Sequence, residues 1–238
     1  MDPLDALDRL SEEPGRAALF LDVDGVLAPI VPRPEDARVP EDTRAELRRL
    51  NERYALVACI SGRDGADARR VVGIPELVYV GNHGLELDDE AAEWRERLQR
   101  FLADVGWPAT ENKGLTASLH YRGSDDEAAA RAALEDVKTR AEHTGFVARF
   151  GRKVLEVLPP VDVHKGTAVR HLLAERNLKR ALYAGDDTTD LDGFRALDGL
   201  DVSVRIAVAA EEGPRELREA AEIVVGDPLE LVSLLKRL

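Results

Sequence analysis

Ala17-Ala-Leu-Phe-Leu-Asp-Val-Asp-Gly25 opens the reading, because an apolar run ends abruptly in two carboxylates and a glycine. A continuous apolar run is what a strand buried on both faces requires, so Ala17 to Val23 is expected to be an inner strand of a parallel sheet. Asp22 and Asp24, two residues apart, start on one side of that strand, and Gly25 lets the chain turn away. With no basic residue nearby in sequence, such a pair repels unless a cation binds or one member is protonated. Pro29, Pro32, Pro34 and Pro40 then crowd a segment that is expected to be a loop.

Further along, Thr43-Arg-Ala-Glu46 has capping-box spacing and leads into Leu47, Leu50 and Tyr54 at helical intervals. Ala55 to Ile60 and Leu77 to Val80 are two more apolar runs, ending at Ser61-Gly-Arg63 and Gly81-Asn-His-Gly84. Strands separated by helices at this spacing imply βαβ units. The rhythm then changes. Trp94, Leu98, Phe101, Leu102 and Val105 share a helical face, and Thr116 to Arg122 alternates like a strand with one solvated face. Ser124-Asp-Asp-Glu127 is placed to cap a helix striped by Ala129, Ala133, Val137 and Ala141. Gly145 to Phe150 and Lys153 to Leu158, divided by Gly151-Arg152, suggest a hairpin.

From Asp162 the α/β alternation returns, with a helix from Lys165 to about Arg176 and a strand Arg180 to Ala184 entering Gly185-Asp-Asp-Thr-Thr-Asp190. Another helix, strands at Val202 to Val208 and Glu222 to Val225, and a final helix follow. The expected architecture is α/β: a Rossmann-like core over 1–86 and 162–238, its parallel sheet lying between helices, interrupted by an α/β block over 87–161.

Composition narrows the function classes. Lys plus Arg number 33 against 46 Asp plus Glu in 238 residues, a net charge of −13, which disfavours a nucleic-acid partner. Two Trp, four Tyr and five Phe leave few residues for a stacking surface. The acidic start Met1 to Asp8 lacks a secretory n-region, and no apolar stretch approaches the ~20 residues that cross a bilayer, so a cytoplasmic protein without a membrane partner is expected. Cys59, the single cysteine, reads as a small buried hydrophobe and excludes an internal disulfide.

In a parallel sheet, ligands bind beyond the carboxyl ends of the strands, and Asp22/Asp24, Ser61 and Asp186/Asp187 all fall there. Taken singly, each has a bland use as a helix cap or turn former. Together, two carboxylates, a hydroxyl, a lysine at a helix start and a third acidic cluster suit phosphoryl transfer assisted by a hard cation such as Mg²⁺. The chemistry asks for a carboxylate nucleophile, a second carboxyl to protonate the leaving alkoxide, and donors for the equatorial oxygens. Asp24 could be protonated near neutrality only if burial and neighbouring carboxylates raised its pKa.

Through Asp22-Val-Asp-Gly-Val26, Ser61, Lys165 and Gly185-Asp-Asp-Thr-Thr-Asp190, the chain resembles the haloacid dehalogenase superfamily of Mg²⁺-dependent phosphotransferases. That resemblance implies Asp22 as nucleophile, Asp24 as general acid and then base, and Ser61 and Lys165 as phosphoryl-holding groups. It further implies Mg²⁺ held by Asp22, Asp186 and the Asp24 carbonyl, with Asp187 and Asp190 behind them. Val26 departs from the commoner threonine.

Within the superfamily, Ile60-Ser-Gly-Arg63, Gly81-Asn-His-Gly84, Glu111-Asn-Lys113, Ser118-Leu-His-Tyr-Arg122, Glu156-Val-Leu-Pro159, Lys165-Gly-Thr167 and Asp192-Gly-Phe194 resemble trehalose-6-phosphate phosphatases. Leu158 replaces the family's usual arginine, and Leu191 its usual acidic residue. By this resemblance the inserted block is a cap that closes over a sugar phosphate, with Gly62, Arg63, Asn82, His83, Lys113, His120, Arg122 and Glu156 as substrate contacts. A trehalose-6-phosphate synthase is the implied pathway neighbour. Read alone, His120 and Arg122 fit a strand's solvated face better than a ligand site. His143, His164 and His171 have no zinc spacing and receive no role.

Three other readings share these residues. A phosphatase of another sugar phosphate would keep the core and line the cap differently. A phospho-accepting receiver module needs about half this length and no 70-odd-residue insertion after Gly84. A silent binding domain has no need of the full set Asp22, Asp24, Ser61, Lys165 and Asp186.

Overall fold

Runs of residues with no polar alternation form the centre of the protein, since a strand covered by helices on both faces has no wet side. In a computed structural model of the chain, which describes residues 3–151, 153–209 and 213–238, the strands β1 (Ala18–Leu21) and β2 (Leu56–Ile60) are buried at every position. Beside them lie β3 (Val78–Val80), β8 (Arg180–Gly185), β9 (Val202–Val208) and β10 (Ile223–Val225). The six form one sheet in the order β10-β9-β8-β1-β2-β3, parallel throughout. Chain order runs outward from β1 through β2 to β3 in one direction and from β8 to β10 in the other, so the order reverses between β1 and β8. A crevice at the carboxyl ends of such a pair is where ligands bind in open α/β sheets.

Helices α1 (Pro3–Glu12), α2 (Glu41–Arg53), α3 (Gly65–Val72), α6 (Lys165–Glu175), α7 (Asp190–Arg195), α8 (Arg215–Ala220) and α9 (Pro228–Leu235) accompany this sheet. Leu7 and Leu10 of α1, Leu47 and Leu50 of α2 and Leu231 and Leu235 of α9 join Leu19, Val57, Leu182 and Val204 in one apolar cluster. Cys59 is buried within it, and burial pushes its thiol pKa up, which leaves the sulfur a packing group.

The chain divides into two compact units, Met1–Gly84 with Val163–Leu238, and Leu85–Asp162. The second unit contains α4 (Ala91–Val105), β4 (Thr110–Asn112), β5 (Ala117–His120), α5 (Glu127–His143), β6 (Val147–Gly151) and β7 (Val154–Leu158). Its sheet is antiparallel in the order β4-β5-β7-β6. The turn joining β6 to β7 contains Arg152, which lies outside the described residues, as do Met1 and Asp2 of the acidic start.

Several local expectations are corrected. The helix expected to be capped at Thr43 begins earlier, at Glu41 behind Pro40. Thr43 is buried inside it, and Glu46 turns to Arg49 rather than back to a cap. The cap of α5 is Asp126, whose carboxylate accepts from the Ala128 and Ala129 amides. Its buried stripe is Leu134, Val137 and Ala141, while Ala129 and Ala133 are exposed. A leucine inside an alanine-rich helix, with more area to bury, sets the face. Thr116 to Leu119 is buried at every position, so the expected solvated face is reduced to His120 and Arg122. The three-residue β4 and the helices α1 and α8 are additions to the expected elements.

Candidate active site

Asp22 follows β1 directly, and its amide continues the sheet by donating to the Ala184 carbonyl on β8. The chain then closes a tight turn in which the Ala28 amide donates to the Val23 carbonyl and the Gly25 amide to the Ala28 carbonyl. Gly25 has a φ of 77°, and a Cβ there would overlap the Asp186 carboxylate, so both the turn and the approach of β8's end require glycine.

At the neighbouring strand end, Asp186 leaves β8 and Asp190 opens α7. Asp190 is wholly buried and saturated: one oxygen accepts from Lys165 Nζ at 2.7 Å and Tyr183 Oη at 2.7 Å, the other from the Asp186 and Asp187 amides at 3.0 and 3.1 Å. Lys165, at the first position of α6, spans to Asp22 Oδ2 at 2.6 Å and is 2% exposed. The other Asp22 oxygen accepts from the Val23 amide at 2.7 Å. Two residues overlooked in the sequence complete this arrangement. Tyr183 anchors Asp190, its hydroxyl pKa driven up by burial and Asp190. His164 caps α6 and so sets where Lys165 begins. Tyr183 sits in an apolar strand and reads as core until its hydroxyl is given a partner.

Carboxylate oxygens of Asp22, Asp186 and Asp190 lie within 4.8 Å of one another. Burial, opposed by Lys165, pushes the Asp22 pKa up, and burial together with Asp22 and Asp190 pushes Asp186 up to about 8. Burial alone would lower the Lys165 pKa, but Asp22 and Asp190 more than reverse this and keep it an ammonium. Three crowded carboxylates facing one lysine leave negative charge uncompensated, and their all-oxygen donor set suits a small hard cation. Asp22 and Asp186 are the members placed to bind it, since Asp190 already accepts four hydrogen bonds. Asp187 instead accepts from the Thr188 amide and hydroxyl.

The expected convergence of Asp22 with Asp24 is not what the structure contains. Asp24 is turned to Arg63, which donates from Nε at 2.6 Å and Nη2 at 2.7 Å to its two oxygens. A basic partner 39 residues away in sequence cannot be found by scanning neighbours. Nor is Asp24 surrounded by carboxylates and buried, as the acid role suggested; its side chain is 38% exposed. Arg63 is fixed in turn by Asp67 at 2.6 Å.

Ser61, buried at the end of β2, accepts from the Arg63 amide through its hydroxyl, and its carbonyl accepts from the His83 amide at 2.9 Å. The Asn82 amide donates to the Arg63 carbonyl at 2.7 Å, so the loops after β2 and β3 are tied together. Asn82 and His83 both adopt left-handed backbone, φ 51° and 56°, and the imidazole lies over Gly62 where a Cβ would be about 2.8 Å from the ring. Such strain in non-glycine residues needs a surrounding structure that enforces it.

The remaining sequence candidates belong to the second unit. On its sheet the register aligns Glu111, Ser118, Glu156 and Arg149 in one row across all four strands, and His120 shares that face. Glu111 lies 3.8 Å from Lys113 Nζ and 3.3 Å from His120 Nε2. Glu156 accepts from Arg149 Nε at 2.9 Å. Arg122 is exposed past the end of β5 and faces Glu127. Glu111 and Arg149 were not among the candidate contacts, and only strand register brings them into the row.

A six-stranded parallel sheet carrying this carboxylate–lysine cluster, with a second α/β unit inserted, is the core of a haloacid-dehalogenase-like protein. The chain matches the family model for trehalose-phosphatase over residues 20–109 and 96–221 and belongs to that family. It is 33% identical over 205 residues to a trehalose-phosphate phosphatase of Mycobacterium avium, covering 76% of this chain and 51% of the relative. With a trehalose 6-phosphate phosphatase of Zea mays the identity is 30%, over 92% of this chain and 69% of the relative. Among solved structures, a trehalose-6-phosphate phosphatase of Aspergillus fumigatus superposes with a TM-score of 0.64 at 27% identity, over 99% of this chain and 96% of that one. The chain thus spans about half to two thirds of the length of these curated relatives.

Proposed function

We propose that this protein is a Mg²⁺-dependent phosphatase that hydrolyses trehalose 6-phosphate to trehalose and phosphate through an aspartyl phosphate on Asp22. The observation that carries the chemistry is Asp22 itself, a buried carboxylate at the strand-order reversal, paired with an ammonium and grouped with two further carboxylates. The substrate comes from the family and from the names of the relatives matched.

In this reading an Asp22 oxygen attacks phosphorus, the bond from phosphorus to the sugar oxygen breaks, and Asp24 supplies the proton that the leaving alkoxide takes up. Asp24 then takes a proton from water as that water attacks the phosphoryl group and frees Asp22. To do either, Asp24 must leave Arg63. Lys165, locked as an ammonium, holds equatorial phosphoryl oxygens together with the Ser61 hydroxyl, and Gly62, Asn82 and His83 line the approach. Asp22 and Asp186, with the Asp24 carbonyl, would hold Mg²⁺, with Asp190 and Asp187 behind them. Bound there, the cation offsets the charge of the carboxylates and of the phosphoryl oxygens.

The Leu85–Asp162 unit is read as the cap that selects the sugar, through Lys113, His120, Arg122 and Glu156. A reaction that phosphorylates or assembles the disaccharide must supply the substrate, which is where a trehalose-6-phosphate synthase would stand. No helix among the described residues is long and apolar enough to cross a membrane, and a cytoplasmic setting fits a phosphorylated sugar substrate.

Phosphate release measured over trehalose, glucose and sucrose 6-phosphates, with Mg²⁺ and with excess chelator, tests the proposal. Preferential release from trehalose 6-phosphate, lost in chelator, supports it. Equal efficiency on glucose 6-phosphate would transfer the reading to a general sugar phosphatase, and undiminished turnover in chelator would remove the metal.

A further inference from the structure

The antiparallel sheet of the Leu85–Asp162 unit has two unlike faces. Ala117, Leu119, Leu155, Val157 and Ala148 point to one side and are buried, and α5 packs against β6 and β7. On the other side Arg149 and Glu156 stand directly opposite each other, with side chains 67% and 36% exposed and 2.9 Å apart. One register step further along the same face, Val147 and Leu158 are paired, and Val147 is 46% exposed. A charged pair next to an apolar pair is the mixture a pyranose ring asks for: hydroxyls on its rim, C–H groups on its face.

Only one donor of the guanidinium, Nε, is used on Glu156. The fork has five N–H donors in a rigid plane, so its two terminal nitrogens can meet a second hydroxyl while Nε holds the carboxylate in one orientation. A lone glutamate on an exposed strand would have to be ordered by the ligand at an entropic cost. A paired one is ordered beforehand.

We propose that Arg149 is a specificity-determining residue for the disaccharide phosphate, orienting Glu156 and donating to a neighbouring sugar hydroxyl. The inference rests on the reading of the Leu85–Asp162 unit as the sugar-selecting cap. Lysine at 149 would keep the charge and lose the fork, so charge and geometry can be separated.

The test measures kcat and KM of wild type, Arg149→Ala, Arg149→Lys, Glu156→Gln and the Arg149→Ala/Glu156→Gln double variant, with trehalose 6-phosphate and with p-nitrophenyl phosphate. Arg149→Ala is expected to lower the ratio of kcat/KM for the sugar phosphate to that for the aryl phosphate about tenfold, chiefly through KM, as the loss of one charged hydrogen bond predicts. Arg149→Lys should recover part of that ratio, and the double variant should lose less than the product of the two single losses. A misfolded variant would depress both substrates together, so the ratio is read in Arg149→Ala that retains wild-type p-nitrophenyl phosphate turnover, or in Arg149→Lys where the alanine variant does not; an unchanged ratio there overturns the inference while sparing the proposed function. Wild type that releases no phosphate from trehalose 6-phosphate overturns both.

Discussion

Asp22 and Asp24, separated by one valine, end in different settings, and the distinct roles proposed for them rest on that difference. Asp22 is turned inward to Lys165 and grouped with Asp186 and Asp190; Asp24 faces outward to the Arg63 fork. A carboxyl that gives a proton to a leaving alkoxide matters most when that group is a poor one. Asp24→Asn should therefore slow release from a sugar phosphate, whose alkoxide needs the proton, by about 10²-fold or more, and slow p-nitrophenyl phosphate much less. Steady-state rates on the two substrates check this, and equal losses on both would assign Asp24 to binding or folding instead.

At the scale of elements, sequence patterns located strands well and caps poorly, for a physical reason. Leu56–Ile60 and Val202–Val208 are runs whose burial on both faces admits little else, and each β-strand end that was singled out bears polar residues in the structure. Caps depend on one hydrogen bond among several candidates within a turn: the Thr43 hydroxyl is a plausible capping acceptor, yet Pro40 takes the cap position three residues earlier. Likewise Arg63 with Asp24 and Arg149 with Glu156 are pairings made by strand order and register, and Tyr183 meets Asp190 only because the chain turns back from β8 into α7, none of which hydrophobic spacing encodes. Asp126 at the start of α5 offers a direct check. One of its two carboxylate oxygens accepts from two amides at 3.0 and 2.9 Å, so Asp126→Ala should cost about 1 kcal/mol of stability in urea denaturation. A loss below a few tenths would mean that water replaces the cap.

Across the whole molecule, a chain of net charge −13, one cluster of three buried or half-buried carboxylates lies where the sheet's strand order reverses. Burial and neighbouring carboxylates raise Asp186 from 3.8 to about 8, so the folded chain keeps a proton there that the unfolded chain releases near 3.8. Between those values the native state binds more protons than the unfolded one. The contribution of Asp186 to stability is therefore fully present below about 3.8 and is lost as pH rises through about 8. Metal-free protein should melt at progressively lower temperature over this range, and Asp186→Asn should flatten the trend. Added Mg²⁺ should raise the melting temperature most at the alkaline end, where its ligands are ionised. A Mg²⁺ effect independent of pH would place the cation elsewhere.

In the proposed reaction, phosphate from trehalose 6-phosphate passes through Asp22. Turning over trehalose 6-phosphate labelled in its phosphate, quenching in acid within the first turnovers and mapping the label to a peptide tests it most directly. Label is expected on the peptide carrying Asp22, labile to base as an acyl phosphate, and none in Asp22→Asn. Label on His83 or another residue, or labelled phosphate formed at the wild-type rate by Asp22→Asn, would contradict it.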